Sequence, residues 1–128
     1  MADFSKKIDY EFLFELELLD PETFEPSGVF FKIRSENSTV VQKLMLEHSN
    51  INIERRIKGN NKIAEASYQQ ELEKAATMIA EWDWGDNDFE GQVPVYSVKK
   101  AMEIMRKQSW IYQQVMEAGR SVGNFSRK

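Results

Sequence analysis

Cysteine is absent and histidine occurs once, at position 48. The first absence removes disulfides, zinc-thiolate and iron–sulfur ligation and thiol nucleophiles together, and suits a reducing compartment. The second leaves His48 as the sole imidazole for any Ser-His-Asp or histidine–metal chemistry, and its neighbour Ser49 projects elsewhere on a helix, so a half-buried structural role is the reading for His48. A basic excess is also missing. Seventeen Lys plus Arg against 21 Asp plus Glu leave a net charge of -4, which disfavours general binding to a phosphate backbone. No apolar run approaches the roughly 18 residues of a membrane span, and the polar opening from Met1 to Asp9 carries no signal-peptide core. The expectation is an intracellular protein with neither nucleic acid nor membrane as partner. P-loop, G-x-G-x-x-G, H-E-x-x-H and G-x-S-x-G motifs are all missing. No pair of carboxylates is marked out by a cleft, so a non-enzyme without a cofactor is expected.

What is present fits one domain over residues 1–128: 41% hydrophobic residues suffice for one sizeable core and not for two. Charge is unevenly spread. Residues 1–98 hold 10 basic and 19 acidic side chains, whereas residues 99–128 hold 7 basic and 2 acidic. An acidic body with a basic C-terminal segment can orient self-association or docking on a partner.

Tyr10, Phe12, Phe14, Leu16 and Leu18 alternate with Glu11, Leu13, Glu15, Glu17 and Leu19, which predicts a strand. Turn chemistry at Asp20-Pro21 and Pro26-Ser27-Gly28 precedes a second alternation from Val29 to Arg34, and a hairpin over about 10–34 follows. In that register Lys32 and Arg34 face the row of Glu11, Glu15 and Glu17. A lone ribbon is marginal in water, so its apolar face must pack on helices or another subunit. Val40, Val41, Leu44, Met45 and His48 then follow helical spacing after an Asn37-Ser38 cap, predicting a helix over about 38–58 that stops at Gly59. A second helix, about 61–82, carries the stripe Ala64, Tyr68, Leu72, Ala75, Ile79 and Trp82, with Glu65, Gln69, Glu73 and Thr77 pointing away. Ser97 caps a third over about 98–118, with Ala101, Met102, Met105, Tyr112, Val115 and Met116 inward, and a flexible end occupies about 119–128. The predicted fold is α+β: an N-terminal β-hairpin packed on about three α-helices.

Between the last two helices, the segment from Trp82 to Gly91 is the densest in aromatics and acids. Asp86, Asp88, Glu90 and Gly91 match positions 1, 3, 5 and 6 of a calcium loop, but the twelfth is Ser97 rather than Glu and Pro94 lies within. The reading taken is an aromatic plug of Trp82, Trp84 and Phe89 beneath a solvated acidic loop. Trp110 projects about 120 degrees from the apolar stripe of a continuous third helix, beside Lys99 and Arg106. Those three form the expected partner-contact patch, with Trp84 and Phe89 counted alongside them as partner-binding and Trp82, Tyr68 and Tyr112 as the structural aromatic cluster.

The order of features in the C-terminal half is distinctive: a helix ending Ile79-Ala80-Glu81-Trp82, then Trp84-Gly85, Asp88, Gly91, Val93-Pro94-Val95-Tyr96-Ser97, a helix, and Asn124-Phe125. It resembles the tail assembly chaperones of long-tailed, lambda-like bacteriophages, in which a Trp-Gly segment leads through an acidic turn to a Pro-aromatic-Ser helix start. Leu19 to Gly28 and the helix start at Ser35 to Ser38 look like that family's opening hairpin and first helix. The chain departs from it with Tyr96 where Phe is common, and with Val98-Lys99-Lys100 where an acidic-polar helix start is usual. The resemblance implies a late protein of the host bacterial cytoplasm during infection, absent from the mature virion. Such a protein binds the tape-measure protein and keeps it soluble while tail-tube protein polymerises around it. Members are commonly made in two lengths by ribosomal frameshifting. Six methionines, among them Met45, Met102, Met105 and Met116, suit adaptable helix recognition. Two alternatives remain: a structural head–tail adaptor or tail-terminator subunit using the free hairpin edge, and a calcium-responsive module built on Asp86, Asp88 and Glu90.

Overall fold

A computed structural model describes residues 3–57 and 63–126. The alternating stretches become β1 (Phe14–Leu19) and β2 (Pro26–Ile33), paired antiparallel with Glu15 opposite Lys32 and Leu16 opposite Phe31. Period-two burial decides which face is which. Leu18, Val29, Phe31 and Ile33 are buried, while Glu15 and Lys32 face solvent. Tyr10 and Phe12 precede the strand and stay exposed.

The sheet has a third strand that the periodicity did not predict. The second helix stops as α2 (Ile63–Met78), and residues assigned to its last turn form β3 (Ile79–Asp83), antiparallel to β2 in the order β1-β2-β3. Arg34 explains the switch. Its backbone N–H donates to Met78 O at 2.6 Å and its Nη1 donates to Thr77 O at 2.7 Å, capping the last carbonyls of α2. Arg34 thereby leaves the glutamate row it was expected to face. Lys32 stays opposite Glu15 as expected, but its salt bridge runs to Glu81 on β3, Nζ to Oε1 3.0 Å, and this bond raises the lysine pKa above its ordinary value.

Helix α1 (Thr39–Ile57) falls where the spacing placed it. Its N-terminus is served by Glu11, whose Oε1 accepts both the backbone N–H and the hydroxyl of Thr39 at 2.8 Å. Ser38 Oγ turns back to donate to Ser35 O. The stop at Gly59, the start at Asn61 and the side chains of Ala64 and Glu65 lie outside the described residues.

The predicted third helix is two. α3 (Val98–Lys107) and α4 (Ser109–Arg120) are separated at Gln108, whose φ of -128 and ψ of 85 are not helical. Ser97 caps α3 as expected, its Oγ accepting from Lys100 N at 3.0 Å. Gly119, near the end of α4, is buried: a Cβ there would lie 1.8 Å from Met78 Cε and 3.2 Å from Arg34 O. From residue 120 to residue 126 the chain beyond it is anchored, where a flexible end was expected. A 3-10 turn, Val122–Phe125, sinks Phe125 to 1% exposure, its carbonyl accepts Asp9 N, and Ser126 bridges Ile8.

Side chains of β2 meet Leu72, Ala75, Ala76 and Met78 of α2, Ala101, Ile104 and Met105 of α3, and Ile111, Val115 and Met116 of α4 in one core. At its border the buried Lys74 pairs with Glu36 at 3.3 Å, and Arg120 approaches the same carboxylate at 3.6 Å. The α+β class holds, with a three-stranded sheet and four α-helices among the described residues. None of those helices is long and apolar enough to cross a membrane.

Candidate partner-binding surface

The loop after β3 is pinned from both ends. Trp82 lies opposite Phe31 on the sheet, with ring centroids 5.4 Å apart, and meets Trp84 edge-on at 5.8 Å and Tyr96 at 5.1 Å. Phe89 closes the stack on Trp84 at 6.2 Å. Trp82 Nε1 donates to Pro94 O, and Tyr96 hydroxyl donates to Ala76 O at 2.8 Å. Burial pushes the Tyr96 phenol above its ordinary pKa. Trp84 is only 6% exposed, so it is interior structure rather than a partner contact, and half-buried Phe89 packs against the core with it. The aromatic cluster is therefore Phe31, Trp82, Trp84, Phe89 and Tyr96. Tyr68, expected on the buried stripe, is 53% exposed, and Tyr112 packs half-buried on α4 with its hydroxyl 3.4 Å from Glu71.

The acidic side chains above this plug do not converge. Asp88 accepts Gly91 N, Glu90 is held by Lys107 at 2.7 Å, and Asp86 is exposed with no partner among the described residues. Among the described residues no group of three His, Asp or Glu is arranged to hold a metal ion, so the calcium-loop spacing is not realised in geometry.

The expected contact patch is split. Lys99 and Arg106, seven residues apart on α3, remain exposed on one face, and Arg106 Nη2 donates to Gln69 Oε1 at 2.8 Å. Trp110 belongs to α4, and the break at Gln108 re-aims it: the ring is half-buried against the core, with Nε1 donating to Gln108 Oε1. A continuous helix would have left it outside.

A surface that sequence spacing did not single out lies on α1. One side faces α2 through buried Val41, half-buried Leu44, His48 bonded to Glu73 at 2.6 Å, and a reciprocal pair of amide bonds between Asn52 and Gln70. His48 thus takes the half-buried structural place expected of it. The opposite side carries Leu46 and Ile53, 64% and 53% exposed, with Val40 and Ile51 exposed on a flank. Leu46 and Ile53 are seven residues apart, the spacing of one seam of a coiled coil. That i, i+7 signal was in the sequence, overshadowed by the inner stripe. No family model, curated protein or solved structure matches the chain.

Proposed function

We propose that this protein is a bacteriophage tail assembly chaperone, a non-enzymatic binder that holds the tape-measure protein soluble while tail-tube protein assembles around it. It works in the host bacterial cytoplasm and leaves before the virion is complete. The order of Trp-Gly, acidic turn, Pro-aromatic-Ser and Asn-Phe elements along the chain supports this reading. The observation that carries it is the second apolar seam of α1: a helix already packed on α2 by one side presents Leu46 and Ile53 outward on the other. A long tape-measure helix with apolar stripes is the kind of partner such a seam accepts, by helix-on-helix packing. Helix α2, whose Leu72, Ala75 and Ala76 are set in the core, supplies the mount behind it.

Co-expression with the tape-measure protein encoded beside this chain tests the reading. The tape-measure protein alone should precipitate, and it should co-purify in soluble form with this chain. Replacing Leu46 and Ile53 together by Asp should abolish the rescue while the variant keeps its own melting temperature, because both side chains are exposed. Persistent insolubility beside abundant folded wild-type chain overturns the proposal.

A further inference from the structure

A second recognition surface runs along the outer edge of β1, and its argument is independent of the α1 seam and of the chaperone reading. β1 terminates the sheet, so one side of its backbone has no strand neighbour. Which residues present that side follows from hydrogen bonds at two places. Arg34 N donates to Met78 O, which aims Arg34, and by alternation Lys32 and Phe30, toward β3; Ile33 and Phe31 therefore bond to Phe14 and Leu16 of β1. At the far end of β1, Leu19 N donates to Gln114 Oε1 and Leu19 O accepts from Gln114 Nε2, both at 2.9 Å, on the side away from β2. Both observations give the same parity: the N–H and C=O groups of Glu15, Glu17 and Leu19 point outward. The Gln114 amide makes with Leu19 the two bonds that a neighbouring strand would make. The outward main-chain groups of Glu15 and Glu17 have no strand partner among the described residues, while the Glu17 carboxylate accepts Gly28 N–H at 3.0 Å on the β2 side.

They open into a groove. Two adjoining concavities of about 600 and 570 Å³ meet at Phe14 and Asn124, one floored by Phe12 and Phe125 and the other walled by α4 at Gln114 and Ala118. The charged residues lining them are Asp9, Glu15, Glu17 and Glu117, with no lysine or arginine among the described lining residues. The Glu117 carboxylate makes no ion pair among the described residues.

We infer that this edge binds an extended basic segment of a partner protein, added as a fourth strand beside β1, with alternate apolar side chains in the groove, whose α4 wall carries Glu117, and intervening Lys or Arg on the outer face beside Glu15 and Glu17. Main-chain bonds to Glu15 and Glu17 supply the pairing, and the acidic lining selects charge. A second copy of this chain is the poorer occupant. Antiparallel β1–β1 pairing would set Glu15 and Glu17 of one copy against the same acids of the other, and like charges directly opposite are destabilising.

The probe is a fluorescein-labelled decapeptide of alternating Lys and Val, compared with its Glu-Val counterpart, read by anisotropy and by amide NMR of the whole chain. The Lys-Val peptide should bind at least tenfold more tightly, and Glu15 and Glu17 amides should become protected from exchange. Glu15→Pro removes one outward N–H without touching the bonds to β2 and should weaken binding at least tenfold, whereas Glu15→Gln should weaken it only severalfold. Glu117→Lys, on the exposed side of α4, tests charge selection without altering the strand and should also weaken binding. Equal binding by Glu15→Pro overturns strand addition, and equal binding of the two peptides overturns charge selection. A dimer in sedimentation that Glu15→Pro dissolves overturns the heterologous occupant in favour of a second copy.

Discussion

Phe125→Ala is the most direct test of how this chain is held together. The ring is the last aromatic side chain in the sequence, 1% exposed, and its edge meets Phe14 with centroids 6.4 Å apart. Burying a phenylalanine side chain contributes about 1.5–3 kcal/mol by transfer alone. Truncation adds the cost of a partly collapsed cavity, and large-to-small changes of this kind cost about 3–5 kcal/mol. The loss is also topological. Phe125 O accepts Asp9 N, and Ser126 bridges Ile8, so the ring, packed on Phe14, holds residues 8–9 and 125–126 beside β1. Against a typical stability of about 5–15 kcal/mol, the variant should lose a large fraction of its folding free energy, and its melting temperature should fall by about 10–20 °C. The assay is urea unfolding followed by tryptophan fluorescence, with Trp82 and Trp84 as core reporters. A midpoint within about 1 kcal/mol of wild type, at unchanged slope, would refute the packing of this end and restore a loose tail.

Trp110→Ala should lower stability by about 1–3 kcal/mol, since the half-buried ring packs on the core; an unchanged thermal midpoint would return Trp110 to the surface. The Tyr96 pKa is raised by burial, so the folded state holds the phenol proton after the unfolded chain has released it. Stability from this residue is therefore full below the unfolded value near 10.0 and falls as pH climbs from there to the folded value. Tyr96→Phe should flatten that alkaline decline in denaturation measured across pH 9–12, and a slope identical to wild type would dismiss the argument.

The helices and the hairpin were legible because their apolar spacing obeys one period at a time. β3 was not, because Ile79 and Trp82, three residues apart, fit a continuing helix as well as a strand. Distant residues claim the carbonyls that end α2 there: Arg34 takes those of Thr77 and Met78, and Tyr96 that of Ala76. The break at Gln108 carries neither Gly nor Pro. Its trace is a gap in the stripe: after Ile104 and Met105 a continuous helix wants an apolar residue at 108 or 109, and finds Gln and Ser before Ile111. Missing that gap misplaced Trp110. Of the two proposed binding surfaces, the seven-residue spacing of Leu46 and Ile53 was visible, whereas the open edge of β1 depends on strand order and on Gln114, 95 residues from Leu19, which no local pattern contains.

The junction at Met78–Ile79 has a mechanical meaning. Helix becomes strand with no loop between them, and the joint is clamped by Arg34. Sixteen residues of α2 make an arm of about 24 Å that carries α1 along its side. A pull on the far end of that arm has no slack to take up before it reaches β3 and the Trp82 stack, so a load captured on the helices is borne by the sheet.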